Sequence, residues 1–317
     1  MKNQVIEFDQ IIERGCGIDV HKETVVATVS GTGIQQETRT FNTFTSSLIA
    51  LKEWLMALSI THVAMESTGV YWKPVFNVLE ADFEILLVNA RHIKNVPGHK
   101  TDKKDSKWIV KLLLSGLLKG SFIPPKDIRE LRDLFRYKRK LTGQASAERN
   151  RLQKILEDAN IKLSSVVSDT FGVSATKIID ALLAGKTDVE ELANLCHGRL
   201  NSKKPQLKEA LNGILSEHHK FMLSLIKKNI CKIEETIAEL EQQIDKQTAI
   251  YGTEISLLQS IPGVGKSTAV GIIAEIGANM DVFPNEQHLA SWAGMSPGNN
   301  ESAGKKKVDE LPTEINT

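Results

Sequence analysis

The segment from Gly15 to Ala90 alternates strand-like and helix-like stretches, which restricts this part of the chain to an α/β fold. Cys16 to Val20 and Thr24 to Ser30 are rich in Val and Thr and predict paired strands. The further predicted elements are a strand (Glu37 to Phe44), a helix carrying Leu48, Leu51, Trp54, Leu55 and Leu58 with Ser46 or Ser47 as its N-cap, a strand (His62 to Glu66), a helix (Tyr71 to Glu80), a strand (Glu84 to Val88) and a helix (Asp105 to Leu118). Because Pro124 and Pro125 end the unit, we expect an α/β domain over residues 1–125.

Beyond Pro125 the strand signals nearly vanish and apolar residues recur at helical spacing. Six of them alternate spacings of four and three, as in a coiled-coil seam: Ile226, Ile230, Ile233, Ile237, Leu240 and Ile244. Leu207 to Leu225 follow the same rule in a shifted register, so we expect one long helix from about Gln206 to Thr248 with a local irregularity. It pairs either with Leu131 to Leu156 or with a second subunit. Residues 126–250 are therefore interpreted as a helical coiled-coil region.

The segment from Ile255 to Gly304 is short and rich in turns. Ile261-Pro262-Gly263-Val264-Gly265 precedes a helical run and has the form of a helix-hairpin-helix turn. In such a turn glycines let the backbone approach a DNA phosphate, and the N-terminus of the next helix faces the anion. A Walker A loop at Gly265-Lys266-Ser267 does not fit, because the pattern needs a glycine where Ser260 stands. We expect a small, mostly α domain over residues 251–307.

The formal charge of +1 conceals an uneven distribution of basic residues along the 317-residue chain. One stretch contains Arg91, Lys94, Lys100, Lys103, Lys104, Lys107, Lys111 and Lys119 against only Asp102 and Asp105. A second stretch, from Lys126 to Lys154, includes Arg136, Lys138, Arg139 and Lys140. Each stretch is either a solvated helix face or a surface that contacts phosphates.

Several classes of protein are disfavoured by composition. The strongly apolar run Leu112 to Leu118 is far shorter than the roughly 20 residues of a membrane span. The N-terminus lacks the apolar segment of a signal peptide, so we expect a cytoplasmic protein. Cys16, Cys196 and Cys231 show no CxxC spacing and are interpreted as core residues, without a zinc site or a disulfide framework.

Four carboxylates predict a site for a hard cation. Asp19 lies inside an apolar strand, Glu66 ends another strand, and Asp102 and Asp105 lie three apart on one face of a helix start. Each alone is typical of a capped or solvent-facing acid. Together they fit magnesium, which prefers oxygen ligands and acts in pairs about 4 Å apart during phosphodiester transfer. We predict that the four converge, with Asp19 central, and that Lys22, Lys103 and Lys104 approach the phosphates.

The motifs around these residues resemble a known family. GIDVHKET around Asp19, AMESTGVYW around Glu66 and HKTDKKDSKWIVKLL around Asp102 and Asp105 resemble the acidic tetrad of the DEDD transposases of bacterial insertion sequences, the insertion-sequence one-ten (IS110) family. IPGVGKSTAVGIIAEIG and FPNEQHLASWAGMSPGNNESAGK resemble the second conserved domain of that family. Ser302 falls on its nucleophilic serine.

This resemblance implies a RuvC-like domain of RNase H fold, a coiled-coil connection and a small serine-bearing domain, whose two sites meet between protomers of a homo-oligomer. It implies Mg²⁺-dependent cutting and rejoining of DNA through a serine–phosphate linkage, with a structured bridge RNA as guide in many members. Asp19, Glu66, Asp102, Asp105 and Ser302 are then the catalytic residues. The expected nucleic-acid-binding residues are Lys22, Lys100, Lys103, Lys104, Arg136, Arg139, Lys140, Gly263, Gly265, Lys266, Lys305 and Lys306.

One departure from the family pattern keeps alternatives open. After Lys305-Lys306-Lys307 the sequence turns acidic, so we expect residues 308–317 to be a tail outside the family pattern, as in a truncated copy. The alternatives are an inactive copy that only binds nucleic acid and a metal-dependent junction resolvase, although the latter leaves Ser302 unexplained. An ATPase of the actin and sugar-kinase type does not fit, because His21 and Lys22 occupy the turn that would hold phosphate.

Overall fold

The computed structural model describes residues 11–67, 69–89, 105–295, 300–302 and 305–307. The chain divides into two compact units: unit 1 comprises Met1–Ile123 and Asp281–Thr317, and unit 2 comprises Pro124–Met280. The C-terminal domain expected over 251–307 is thus divided between the two units. Among the described helices, none combines the length and the apolar character that crossing a membrane requires.

Unit 1 is built on a mixed five-stranded sheet of order β3-β2-β1-β4-β5. Its strands are β1 (Arg14–Val20), β2 (Thr24–Gly31), β3 (Ile34–Asn42), β4 (His62–Glu66) and β5 (Glu84–Val88). The first three strands are antiparallel neighbours, whereas β4 runs parallel to both β1 and β5. All five predicted strands are present, and this sheet is compatible with the expected RNase H-like fold.

Helices cover both faces of the sheet in unit 1. Alternate residues of β1, including Cys16 and Ile18, pack in one core with α1 (Thr45–Ala57) and α2 (Trp72–Leu79). The opposite face packs against α3 (Asp105–Leu114). Several boundaries differ from expectation, including that of β3, which spans Ile34–Asn42 and not Glu37 to Phe44. Phe44 is the N-cap of α1 and Ser47 Oγ instead accepts from the Asn42 amide, and α3 ends before Gly116, whose φ of +65° breaks the helix.

All the regular secondary-structure elements in the described residues of unit 2 are helices. Its α-helices are α4 (Lys126–Asp158), α5 (Leu163–Val166), α6 (Val173–Leu183), α7 (Val189–Ala193), α8 (Lys204–Ala210), α9 (Glu217–Thr248), α10 (Gly252–Gln259) and α11 (Lys266–Ile276). Short 3₁₀ segments cover Gly198–Lys203 and Ala249–Tyr251. Beyond Met280, unit 1 resumes with α12 (Glu286–Trp292) and the strands β6 (Asn300–Ser302) and β7 (Lys305–Lys307).

The expectation of one long helix from Gln206 to Thr248 is wrong, because the chain breaks between α8 and α9. Ser216 caps α9 with a capping box: its hydroxyl accepts from the His219 amide, and His219 Nδ1 accepts from the Ser216 amide. The irregularity in the apolar pattern falls between Leu225 and Ile226, inside α9, so it does not mark this break. The expected pairing within the chain is confirmed, since α9 packs against α4 in an antiparallel hairpin joined by the ion pairs Lys138–Glu241 and Arg149–Glu234.

Two arginines of α4 fasten α11 to it and explain why residues 251–276 belong to unit 2. Arg132 is only 7% exposed and donates to the carbonyls of Ala274 and Glu275 at the end of α11. Arg136 Nε and Nη2 each lie 2.8 Å from one carboxylate oxygen of Glu275. Burial lowers the pKa of Arg132, whereas the hydrogen bond to Glu275 raises the pKa of Arg136.

The expected core location is correct for Cys16 and Cys196 but wrong for Cys231, which is exposed.

Candidate active site

Asp19 and Glu66 occupy neighbouring positions at one edge of the sheet. In the parallel pairing of β1 with β4, Gly17 is opposite Ala64 and Ile18 is opposite Met65. One step further along both strands come Asp19 and Glu66. Since Ile18 and Met65 are fully buried against α1 and α2, the alternation of side chains puts Asp19 and Glu66 on the opposite face. Helix α3 covers this face of the sheet, near the ends of β1 and β4 that carry Asp19 and Glu66.

The helix α3 lies directly on β1 at a glycine. A Cβ atom at Gly17 would lie 2.3 Å from the Ser106 carbonyl oxygen and 2.4 Å from the Val110 amide nitrogen. A Cβ atom at Gly15 would instead meet the side chains of Leu113 and Leu114. The helix therefore runs antiparallel to β1, and its first residue, Asp105, comes at the end nearest Asp19.

His21 also belongs to this site. From the sequence, His21 indicated only that the turn after Asp19 does not fit a phosphate. Its Nε2 atom lies 3.0 Å from Asp19 Oδ2, and the Asp19 side chain is 19% exposed. The His21 amide donates to the Thr24 carbonyl at 2.8 Å, which closes the turn between β1 and β2. Lys22 is exposed in the same turn. A histidine in this position holds the orientation of the carboxylate.

The donor set at the sheet edge fits magnesium, because carboxylate oxygens are the ligands that this ion prefers. Within the described part of the chain, no group of three or more His, Cys, Asp or Glu side chains is placed to hold a metal. Asp102 lies outside the described residues, together with Lys100, Lys103 and Lys104, and Asp105 is described only as the first residue of α3. The convergence of all four carboxylates thus stays a prediction.

Ser302 is the last residue of a short strand in unit 1. The strands β6 and β7 are antiparallel, and their register puts Ser302 opposite Lys305 and Glu301 opposite Lys306.

The segment that leads to this hairpin contacts the end of the N-terminal domain through an aromatic cluster. Phe122, Phe283 and Trp292 have ring centroids between 5.1 and 6.1 Å apart. This cluster was not predicted, because no local pattern pairs a residue near 122 with residues near 290.

The glycine turn expected to contact DNA joins α10 to α11 in unit 2. Gly263 has a φ of +89°, a value that favours glycine, and Gly265 is the N-cap of α11. A Cβ atom at either glycine would meet nothing within 4 Å, so the turn is open to an approaching backbone. Lys266 Nζ lies 2.8 Å from Asp245 Oδ1 on α9. The turn thus lies between two helices, and both the helix-hairpin-helix interpretation and its use for DNA stay proposals.

The basic stretch of α4 has two kinds of residues. Arg136 is held by Glu275, and Lys138 by Glu241 at 2.7 Å, so both have structural roles within unit 2. Arg139 and Lys140 are exposed. The part of this stretch available for phosphates is therefore smaller than its sequence suggests.

Comparison with known proteins assigns the family. Residues 16–161 match the model of the IS110-type DEDD transposases, and residues 255–314 match the model described as the transposase IS116/IS110/IS902 family. The chain belongs to the IS110 family of transposases. The first match covers Asp19, Glu66, Asp102 and Asp105, and the second covers the glycine turn and Ser302. The second match also includes residues 308–314, which we expected to lie outside the family pattern.

A curated relative of this IS110-family chain is the transposase for insertion sequence element IS1111A of Coxiella burnetii. The two proteins are 22% identical over 257 residues, which is 80% of this chain and 60% of the relative. The chain thus spans less than two thirds of the length of this relative.

Substitution of Gly17 tests the close contact that positions α3 in this IS110-family chain. We expect Gly17→Ala to destabilise unit 1 by about 1–3 kcal/mol, because its Cβ meets backbone atoms that move only if α3 moves. Urea unfolding followed by circular dichroism measures the effect. The matched control is Gly143→Ala in α4, where nothing lies within 4 Å and a gain of about 0.5–1 kcal/mol is expected. Equal unfolding midpoints for Gly17→Ala and the wild type would contradict the contact.

Proposed function

We propose that this chain is a Mg²⁺-dependent transposase that cuts and rejoins DNA through a covalent link to Ser302. The observation that carries the proposal is the position of Asp19 and Glu66 side by side at one sheet edge, under a helix that begins at Asp105. Carboxylates at such an edge match the acidic tetrad implied by the family. The presence of the Ser302 hairpin in the same compact unit as the acidic residues also supports it.

In the proposed reaction Asp19, Glu66, Asp102 and Asp105 hold the metal, and His21 orients Asp19. Bound Mg²⁺ would supply Lewis-acid stabilisation of the phosphate oxygens. The Ser302 hydroxyl attacks a phosphorus atom of the DNA, so a serine Oγ–P bond forms and a sugar O–P bond breaks. The serine proton passes to a carboxylate of the acidic group, and the leaving sugar oxygen takes up a proton. Attack by a DNA hydroxyl on the serine–phosphate bond then rejoins the strands and restores Ser302.

Basic and glycine-rich segments supply the proposed nucleic-acid surfaces. Lys22 lies exposed in the turn after Asp19, and Lys305 and Lys306 lie in the strand opposite Ser302. The proposed remaining contacts are Lys100, Lys103, Lys104, Arg139, Lys140, Lys266 and the backbone at Gly263 and Gly265. We further propose a bridge RNA and a homo-oligomer, a dimer or a tetramer, because family resemblance implies both.

The proposal is tested with the purified full chain, labelled DNA that carries the ends of the insertion sequence, RNA transcribed from the same ends, and MgCl₂. We expect a protein–DNA adduct on denaturing gels that disappears when EDTA is added before the DNA. Cleavage without an adduct would support a junction resolvase instead. Binding without cleavage would support a protein that only binds nucleic acid.

A further inference from the structure

Buried hydroxyl groups join α3 to the sheet. Ser106 Oγ lies 2.8 Å from Thr28 Oγ1, which in turn lies 2.9 Å from Thr38 Oγ1 on β3. Thr28 is fully buried and Ser106 is 4% exposed. The three hydroxyls form a chain of hydrogen bonds that crosses from β3 through β2 to the first turn of α3.

Both buried hydroxyls occupy positions where an apolar side chain would be usual. Ser106 begins the buried stripe that continues with Ile109, Val110 and Leu113. Thr28 lies on β2 opposite Gly17, on the face that α3 covers. A buried hydroxyl without a partner costs about 1–3 kcal/mol, whereas an apolar pair of the same shape is nearly neutral. Burial alone therefore does not explain a hydroxyl pair here.

What the hydrogen bond adds is direction. Apolar contact is non-directional, whereas a hydrogen bond weakens steeply when its atoms move out of line. The Ser106–Thr28 bond therefore selects one register of α3 along β1. Each residue of shift would move the helix by about 1.5 Å and turn it by about 100°, since 3.6 residues complete one turn. Magnesium ligands at about 2.0–2.1 Å do not tolerate such a displacement.

The register matters because Ser106 directly follows Asp105, and Gly17, which pairs with Thr28, lies two residues before Asp19. We propose that Thr28 and Ser106 are positioning residues, whose hydrogen bond holds the start of α3 at the distance from Asp19 that metal binding requires. This inference rests on the proposed metal site. Neither residue touches the metal or the DNA in this proposal.

The test measures Mn²⁺ binding to the full chain by electron paramagnetic resonance, together with the thermal unfolding midpoint. Thr28→Val keeps the shape of the side chain and removes the hydroxyl, whereas Thr28→Ser keeps the hydroxyl. We expect Thr28→Val to weaken Mn²⁺ binding about 10-fold, which is the lower end of the loss that follows removal of a group that orients metal ligands. Thr28→Ser should restore the binding. The double variant Thr28→Val/Ser106→Ala leaves no unpaired hydroxyl on either residue, so it should unfold near the wild-type temperature and still bind Mn²⁺ about 10-fold more weakly.

The outcomes separate the inference from the proposed function. Wild-type Mn²⁺ affinity in the double variant would overturn the inference, because apolar contacts would then suffice to place α3. Equal weakening by Thr28→Ser and Thr28→Val would also overturn it, because packing and not the hydroxyl would be responsible. If Thr28→Val does not fold, the double variant decides. Wild-type binding that is unchanged by Asp19→Asn would overturn the proposed metal site itself, and the inference with it.

Discussion

Replacement of Asp19 by Asn is expected to abolish adduct formation while the chain stays folded. Asn has nearly the same shape and still accepts a hydrogen bond from His21, but it lacks the negative charge that holds a divalent cation. The rate of adduct formation should fall by more than the roughly 10- to 100-fold loss that is typical when a group hydrogen-bonded to a metal ligand is removed. The rate of adduct formation, measured over a MgCl₂ titration, gives the size of the effect.

The control for Asp19→Asn is the same change at Asp82 in the same unit. Asp82 forms a surface ion pair with Lys52 at 2.5 Å, and such pairs contribute about 0–1 kcal/mol. Asp82→Asn should leave the rate of adduct formation close to that of the wild type. If Asp19→Asn forms the adduct at a wild-type rate, Asp19 does not hold the metal.

Replacement of Ser302 by Ala should remove the covalent adduct and leave nucleic-acid binding and Mn²⁺ binding in place. The hydroxyl is the proposed nucleophile, and alanine has no atom that can form the ester with phosphorus. Lys305, opposite Ser302, remains to attract the phosphate. Denaturing gels measure the adduct, and fluorescence anisotropy with labelled DNA measures binding.

Asp19→Asn and Ser302→Ala should therefore fail in different ways, since only the former loses Mn²⁺. Ser291→Ala, an exposed serine of α12 in the same unit, is the control and should form the adduct normally. An adduct that persists in Ser302→Ala would place the nucleophile elsewhere. Ser296, which lies outside the described residues, would then be the next serine to replace.

Residue composition and local apolar spacing were sufficient to predict the five sheet strands and the helices α1, α2, α3 and α4, but not α5, α6, α7 or α12. The strands β1 and β2 were predicted from residue composition, and the apolar spacing of α9 depends on neighbours within one or two helical turns, so a short window of sequence contains both signals. The same spacing predicted a helix that begins too early, at about Gln206. The apolar pattern continues across the break in the chain, whereas α9 begins only after its capping box at Ser216. The prediction of Ser46 or Ser47 as the N-cap of α1 is also wrong, because Ser47 Oγ accepts a hydrogen bond from the Asn42 amide instead.

The sequence alone determined which carboxylates and which serine were candidates, through motifs that later matched the family models. Only the tertiary structure decided that Asp19 and Glu66 share a face and an edge, because strand register depends on pairing between residues far apart in the chain. It also decided that residues 251–276 pack on α4 and that Ser106 meets Thr28, 78 positions away. Such contacts depend on close packing between elements, and no local pattern of residue types encodes which distant surfaces will meet.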